Sequence, residues 1–372
     1  MGVFFLQSSF ERIVDLNNNV MSEEFREIGR LNENSFIRNR KLTFTDINWL
    51  ILNKKGLSTA MELYNYYKVK EAENVSVQAF SKARMNLDPQ VFVELNKRYL
   101  TEIYTNTPIK LYKDHIMLAV DGMVADLWNE KALKEIFGGT KNKNGEINLA
   151  KAKTCGIYDC LNNMVIDFQL APYNTSEKEL SIKNIENAMK FFKNQKLCII
   201  FDRLFPSIEL FHFLIQNGIK FICRLKNIAY KEEKEEMKTN DECIDIKFTP
   251  QRMQHIKDVN LKKELLAMEK IRLRVSKIKL ENKEEEHLIS NFYLDEVEYK
   301  EMKDLYAQRW EIEKTFNVLK NKLEIENITG ESKIAIEQDF NAQILVHNII
   351  QDVKNEAEKS KRLKKTININ KK

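Results

Sequence analysis

The chain has 372 residues, and its hydrophobic content of 43% with 21 Phe excludes wholesale disorder and allows a substantial buried core. Glycine and proline are scarce, at 10 and 5 residues, which excludes collagen-like and linker-rich proteins and favours long regular elements. The net charge is +5, but the segment from Lys359 to Lys372 alone carries seven basic charges. The rest of the chain is therefore slightly acidic, and the overall charge is weak evidence for nucleic-acid binding.

No apolar run approaches the roughly 20 residues of a membrane span. The first residues lack the basic start of a signal peptide. Five cysteines without metal-type spacing favour reduced thiols. We therefore expect a cytoplasmic protein without a membrane partner.

Residues 1–110 predict an all-helical module of four short helices. Each begins at a residue that can cap it: Asp46, Ser58, Ser76 and Asp88. The helix that begins after Ser76 is expected to expose four polar side chains: Gln78, Ser81, Lys82 and Arg84. Such a helix can enter a major groove, which makes 1–110 a candidate DNA-binding module. A packing helix with a solvated polar side is the alternative.

Residues 111–226 predict a mixed sheet with helices on its faces. Strands are indicated at IMLAVDG, at a hairpin formed by 152–160 and 164–173, at LCIIFD and at IKFICRLK. Helices are indicated at 178–194 and after Pro206. Three early strands followed by alternating helix and strand are typical of an α/β fold.

The later part of the chain divides by composition. Residues 227–288 are highly charged with strand-like pieces, and we interpret them as a β-rich insertion in the sheet domain. Residues 289–356 complete that domain with one helix at about 299–323 and another at about 334–354. The basic tail, 357–372, is predicted to be disordered.

Two apolar strands are each followed by an aspartate, Asp121 and Asp202. If the strands are neighbours, the two carboxylates converge at one edge of the sheet, where they suit a hard divalent cation. The alternatives are structural: Asp121-Gly122 is an ordinary hairpin turn, and Asp202 begins the turn before Pro206. Four further acids compete with this pair but do not follow such clean apolar runs: Asp114, Asp126, Asp159 and Asp167.

The segment YAQRWEIEKTFNVLK contains a polar stripe of four residues: Tyr306, Arg309, Glu313 and Lys320. At about 100° per helical residue, these side chains share an arc of roughly 60°. The alternative is a solvated helix face with ion pairing between Arg309 and Glu313.

This set of residue types suits phosphodiester chemistry. Two divalent ions activate the attacking oxygen and stabilise the leaving oxygen, and Asp121, Asp202 and Glu313 would supply their oxygen ligands. Arg309 and Lys320 would neutralise DNA phosphates, and Tyr306 could hydrogen-bond a phosphate. We expect Mg²⁺ as the cofactor, with Mn²⁺ as a substitute.

The sequence resembles the bacterial insertion-sequence transposases of the IS-four type, in the DDE superfamily. The Tyr-x2-Arg-x3-Glu-x6-Lys signature of that family is intact at Tyr306, Arg309, Glu313 and Lys320. Further matching stretches are AVDGM, CGIYDCLNNMVIDFQL, IIFDRLFPSIELFHFLIQNGIKFICRLK and SNFYLDEVEYKEMKDLY, so the resemblance covers most of residues 75–350. The chain departs from the family at Met123, where a serine is frequent, and at Leu204, where a glycine is common.

The resemblance implies a ribonuclease-H-like catalytic core with a β-rich insertion before the glutamate. It assigns Asp121, Asp202 and Glu313 as the catalytic, metal-binding triad and Tyr306, Arg309 and Lys320 as DNA-phosphate contacts. It also implies a homodimer that cleaves double-stranded DNA at terminal inverted repeats and joins the element to a target DNA. Neither departure from the family touches a triad residue.

Three hypotheses follow. The first is an active DNA transposase that moves an insertion sequence by cut-and-paste transposition. The second is a non-catalytic protein that binds transposon ends and inhibits transposition. The third is a nuclease that cuts DNA without strand transfer.

Overall fold

The computed structural model describes residues 7–38, 41–279, 284–321 and 331–369, without the side chains of 320–321 and 362–369. The helices in these ranges are α1 (Ser9–Met21), α2 (Glu23–Gly29), α3 (Phe44–Leu52), α4 (Thr59–Lys70), α5 (Val77–Arg84), α6 (Gln90–Asn106), α7 (Lys131–Phe137), α8 (Glu177–Phe191), α9 (Ile208–Gln216), α10 (Lys231–Glu235), α11 (Val259–Met268), α12 (Tyr299–Ala307), α13 (Trp310–Asn321) and α14 (Lys333–Ile369). The strands are β1 (His115–Asp126), β2 (Gly139–Lys141), β3 (Ile147–Asp159), β4 (Met164–Pro172), β5 (Lys196–Phe201), β6 (Lys220–Arg224), β7 (Asp241–Lys247), β8 (Lys270–Lys279) and β9 (Glu285–Ser290).

The N-terminal part is helical as predicted, and α1 and α2 are two helices that were not expected from the sequence. Ser58 and Ser76 cap α4 and α5, as predicted. Helix α3 begins at Phe44, three residues earlier than expected, because Thr43 and Asp46 form a reciprocal capping box.

The strands of the described residues form one sheet in the order β2-β3-β1-β5-β6-β9-β8-β7, with β4 also paired to β3. Strands β1, β5 and β6 run parallel, and β3 runs antiparallel to β1 and β4. Alternate residues of β1 enter different cores: Leu118 and Val120 face the core that contains α8, whereas Met117 and Ala119 face α12 and α13. The predicted mixed sheet with flanking helices is therefore confirmed.

The charged segment 227–288 extends this sheet. Strand β7 pairs with β8, and β8 pairs with β9, which in turn pairs with β6 of the core. The segment is therefore partly β, and its strands continue the sheet of the core.

The single helix predicted for 299–323 is wrong, because a break at Gln308 and Arg309 separates α12 from α13. The amides of both residues donate to carbonyls three residues back, a tighter turn than the α-helix. The 100° spacing therefore does not hold between Tyr306 and Glu313, and these side chains do not share one regular helix face. Residues 322–323 of that prediction lie outside the described residues.

The predicted disorder of the basic tail is also wrong as far as Ile369. Helix α14 continues 15 residues beyond its expected end at Lys354. The tail contains no glycine or proline and consists largely of strong helix formers, so it extends a helix that is already nucleated. Residues 370–372 lie outside the described residues.

Helix α14 also anchors the N-terminal helices through buried charges. The Arg12 guanidinium of α1 donates two hydrogen bonds of 2.8 Å to Asp352, and the Tyr99 hydroxyl of α6 donates a third of 2.9 Å. Because all three residues are buried, these helices are packed firmly against the C-terminal helix.

Arg84 contradicts one prediction for the candidate DNA-reading helix. Gln78, Ser81 and Lys82 are exposed as expected, but Arg84 is buried. Its guanidinium donates to Gln338 and Asp339 of α14. Arg84 therefore packs the module against α14 and is not available to DNA in this arrangement.

Candidate active site

Asp121 lies within β1, not at its end. The strand continues to Asp126, so both the expected strand end and the alternative hairpin turn at Asp121-Gly122 are wrong. However, the parallel pairing of β1 with β5 ends at Val120 opposite Phe201. Asp121 is therefore the next residue of β1 and Asp202 is the first residue after β5, so the two lie at the same level. Neighbouring strands of a sheet lie about 4.8 Å apart.

The electrostatics of Asp121 show that acidic groups converge here. The pKa of its carboxyl is raised to about 6, mainly by burial and in smaller part by the negative charges of Asp202 and Glu313. The Gly122 amide, which donates to Asp121 Oδ1 at 2.9 Å, and the positive charge of Arg309 oppose this shift. The fold therefore brings Asp121, Asp202, Glu313 and Arg309 into one electrostatic neighbourhood.

This shift predicts a pH-dependent stability gain for Asp121→Asn. Between about pH 4 and 6 the folded chain binds more protons at Asp121 than the unfolded chain does, so wild-type stability falls as pH rises through this window. In EDTA, the variant should match wild type near pH 4 and exceed it above pH 6 by on the order of 2 kcal/mol. Urea unfolding across pH 4–8 measures this, and Asp126→Asn, in the same strand, should show no gain. A variant less stable than wild type at every pH would contradict the prediction.

Asp202 stabilises a turn and is also a member of the candidate site. Its Oδ1 accepts a hydrogen bond of 2.5 Å from the Leu204 amide, and its carbonyl accepts one from Phe205. The turn interpretation is therefore confirmed, and the turn holds the half-buried carboxylate beside Asp121.

Glu313 is held by Arg309 through an i,i+4 ion pair. Arg309 is only 6% exposed and packs against the rings of Tyr306 and Trp310, at 5.7 and 5.2 Å from their centroids. The ion pair that served as the alternative interpretation is therefore present, but the guanidinium is buried among rings and not on a solvated face.

The glycine opposite Asp121 allows α13 to pack close to the sheet. Gly156 pairs with Asp121 in register. A Cβ at this position would lie 2.7 Å from the Phe168 ring and 3.3 Å from the ring of Phe316, one turn after Glu313 on α13. The absence of a side chain at Gly156 thus lets α13, the helix that carries Glu313, pack closer to the sheet.

The predicted phosphate contacts are not presented to solvent in this arrangement. Tyr306 is 7% exposed, Arg309 is similarly buried, and the side chain of Lys320 lies outside the described residues. The Nε of Arg309 is buried and has no hydrogen-bond partner within the part of the chain that the structure describes. Their role in DNA binding stays a prediction.

The three carboxylates fit a divalent cation by chemistry. All their donors are hard oxygens, and the mutual repulsion at Asp121 is what a bound cation would relieve. The geometry is less complete, because the described residues contain no group of three His, Cys, Asp or Glu side chains that could hold a metal ion. Glu313 is engaged by Arg309 instead.

Two of the four competing acids, Asp159 and Asp167, have structural partners. Asp159 is fully buried and accepts hydrogen bonds from the Tyr104 hydroxyl and the Asn162 amide. Asp167 accepts from Gln169 and Asn187. These contacts explain the buried Asp159 and the half-buried Asp167 without a catalytic role.

A further acid, which lies on the α8 side of β1, was not expected from the sequence. The Glu177 side chain, in the first turn of α8, lies against Gly122 and forms an ion pair of 2.9 Å with Lys153 of β3. The signals that could have indicated it are the glycine directly after Asp121 and the acid at the start of the helix that follows β4.

Comparison with known families identifies the class of protein. The model of the transposase DDE domain family matches residues 112–349, well over half of the chain. The chain therefore belongs to this family, and the predicted DDE transposase relationship is confirmed.

Comparisons with individual proteins find only distant similarities, and these are to solved structures. No curated protein matches the chain. Among solved structures, the chain is similar to a piggyBac transposase in a synaptic complex with hairpin DNA, at 11% identity over 96% of this chain and 74% of that one, with a TM-score of 0.47. It is also similar to a Drosophila P element transposase in a strand transfer complex, at 11% identity over 53% and 42% of the two chains, with a TM-score of 0.26. At these scores, neither likeness bears on the fold or function.

No helix of the described residues combines the length and apolar character needed to cross a membrane.

Proposed function

We propose that this protein is a DNA transposase of the IS-four type that cleaves the inverted-repeat ends of an insertion sequence and joins them to target DNA. Membership of the transposase DDE domain family supports the class. The observation that carries the proposal is the convergence of Asp121, Asp202 and Glu313 at the point where β1 and β5 part.

The sheet supports a ribonuclease-H-like core. Its central order is β4-β3-β1-β5-β6, with an antiparallel half followed by a parallel half. In the proposed triad, Asp121 lies on β1, Asp202 directly follows β5, and Glu313 lies on α13, which packs against β1. Strands β7 to β9 extend the edge formed by β6 as an insertion.

In this proposal Asp121, Asp202 and Glu313 would hold Mg²⁺, in a two-metal site. The bound ions would activate the attacking oxygen and stabilise the leaving one. Asp121 must lose its proton before it can bind a cation, and its raised pKa makes this step favourable only above about pH 6. Glu313 must also be shared with, or released from, Arg309.

The basic residues would bind the substrate. Arg309 has a buried Nε without a partner, and that donor could bind a phosphate once DNA reaches the site. The exposed side chains of Gln78, Ser81 and Lys82 on α5 support DNA-end contacts by the N-terminal helices. A homodimer would align two DNA ends for joining.

Strand cleavage tests the proposal. A duplex that carries the inverted repeat flanking the coding sequence should be nicked at its end with Mg²⁺ or Mn²⁺ and should stay intact in EDTA. Joining of the released 3′ end to a plasmid separates a transposase from a nuclease that only cuts. Specific binding without cleavage in any metal would instead favour the transposition inhibitor.

A further inference from the structure

A basic residue, Arg224, lies in the same row of the sheet as the two proposed catalytic aspartates. The last row in which the parallel strands β1, β5 and β6 are all paired consists of Val120, Phe201 and Cys223. The residues that come next on the three strands are Asp121, Asp202 and Arg224. The sheet therefore places this arginine one strand away from Asp202 and two strands away from Asp121.

Arg224 also belongs to the face of the sheet that α12 covers. Alternate residues of a strand point to opposite faces. Ile222 of β6 lies in the buried cluster that contains Tyr306 of α12, and Arg224 comes two residues later. The alternation of β1 gives Asp121 this same side of the sheet, where α12 and α13 pack.

Tyr306 gives independent support for the position of Arg224. The pKa of the Tyr306 hydroxyl is raised, mainly by burial; the positive charges of Arg309 and Arg224 oppose this shift, and the negative charge of Glu286 adds to it. Arg309 packs on the Tyr306 ring and forms the ion pair with Glu313. Arg224 therefore lies in the neighbourhood of the residues that the sequence assigned to the site.

The two arginines differ in how far solvent reaches them. The side chain of Arg224 is 32% exposed, whereas that of Arg309 is 8% exposed. A phosphate that approaches from solvent can reach Arg224 in this arrangement, but Arg309 is enclosed by rings. Arg224 is therefore the better placed of the two to meet the DNA backbone first.

Glu286 holds the Arg224 guanidinium in the DNA-free chain. Its Oε1 lies 2.7 Å from Arg224 Nη2, and its side chain is 13% exposed. Glu286 comes from β9, two residues before Leu288, which pairs with Arg224 in register. Because a guanidinium has five N–H donors in a fork that matches phosphate, a phosphate can bind beside this carboxylate or in its place.

We propose that Arg224 is a further DNA-phosphate contact of the active site, which binds the strand that is cleaved at Asp121 and Asp202, and that Glu286 holds its guanidinium when no DNA is bound. This inference rests on the proposed function, because it requires the cleaved strand to cross this row of the sheet. Glu286 then competes with DNA for Arg224, so the two residues have opposite effects on DNA affinity.

Binding of a labelled duplex that carries the inverted repeat tests the inference. Fluorescence anisotropy in EDTA, over a range of KCl concentrations, measures affinity and its salt dependence without cleavage. Arg224→Met should weaken binding about tenfold or more and lower the salt slope by about 1. Arg224→Lys should keep the slope but recover only part of the affinity, because it retains the charge and loses the fork. Glu286→Gln should strengthen binding.

A second ion pair on the same strand provides the control. Lys220 of β6 and Glu296 lie 2.7 Å apart, and both side chains are partly exposed. Lys220 precedes Arg224 by four residues, about 13 Å along the strand and away from the aspartates. Lys220→Met and Glu296→Gln remove the same charges from this pair, and neither should change DNA affinity or the salt slope.

A purely structural role for the pair gives a different pattern. Either single variant would then weaken binding through a loss of stability, and the double variant Arg224→Met/Glu286→Gln, which leaves no unpaired charge, would bind as wild type does. We expect the double variant to bind as weakly as Arg224→Met. Wild-type binding in Arg224→Met or in the double variant, or weaker binding in Glu286→Gln, would overturn the inference.

The cleavage assay keeps the failure of this inference distinct from that of the proposed function. A wild-type chain that binds the duplex but does not cleave it with Mg²⁺ or Mn²⁺ would overturn the proposed transposase and leave the phosphate contact supported by the salt slopes. Normal cleavage together with an unchanged salt slope in Arg224→Met would overturn the contact alone. A wild-type chain that does not bind the duplex would overturn both.

Discussion

Glu313→Gln is expected to abolish DNA cleavage and to leave binding of the DNA end nearly unchanged. Glutamine has the shape of glutamate and can still accept a hydrogen bond from Arg309, so α13 should keep its place. It lacks the negative charge that would hold a divalent cation, and we expect a loss of cleavage of on the order of 10³-fold or more. Parallel cleavage and gel-shift assays on one duplex measure the two effects.

The same helix provides a control for this prediction. Glu311 forms an ion pair of 2.7 Å with Lys314 on α13, so Glu311→Gln makes the same chemical change two residues away. It should cleave and bind as wild type does. If DNA binding collapsed along with cleavage in Glu313→Gln, Glu313 would be a structural partner of Arg309 and the proposed triad would be wrong.

Asp339→Ala is expected to cause the largest loss of stability among single substitutions in the buried charge network. Asp339 accepts from the Arg84 guanidinium and the Lys54 ammonium, both at 2.7 Å, and all three side chains are under 8% exposed. Removal of the carboxylate takes away the acidic partner that these two buried cations share, and such a loss costs about 3–5 kcal/mol. Burial lowers the pKa of Lys54, so this lysine is sensitive to the loss of its partner.

Urea unfolding measures this free-energy change. The matched control is Glu73→Gln, which removes the carboxylate of an exposed ion pair with Lys41 and should leave the unfolding midpoint unchanged, since exposed pairs contribute little. If Asp339→Ala unfolded at the same urea concentration as wild type, α14 would not depend on this network to hold the N-terminal helices.

The elements that residues close in sequence specify were predicted correctly, whereas features that depend on tertiary packing were not. The hairpin of β3 and β4, the strand LCIIFD and the helix at 178–194 were predictable because each is specified by a short run of apolar spacing and turn residues. The break at Gln308 and Arg309 was not, because the sequence there contains no glycine or proline to mark it. Packing of Arg309 between Tyr306 and Trp310 accompanies the break, and a helical wheel cannot include such a contact.

The burial of Arg84, on the N-terminal helices, likewise could not be predicted from local sequence. Its spacing placed it among exposed polar residues, and local sequence offers no reason to bury a guanidinium. Its partners, Gln338 and Asp339, lie about 250 residues later in the chain. A buried charge needs such partners, and their position depends on how α14 crosses the N-terminal helices.

The sequence by itself determined the types of the central elements, the membership of the transposase family and the identity of the proposed catalytic acids, because these depend on local spacing and on a motif of fixed length. Only the tertiary structure decided that Asp121 lies inside a strand, that Arg309 is buried against Glu313, and that Glu177 and Lys153 lie beside Gly122. The reason is physical: strand pairing and helix packing bring together residues that are distant in sequence, and no local pattern records which of them meet.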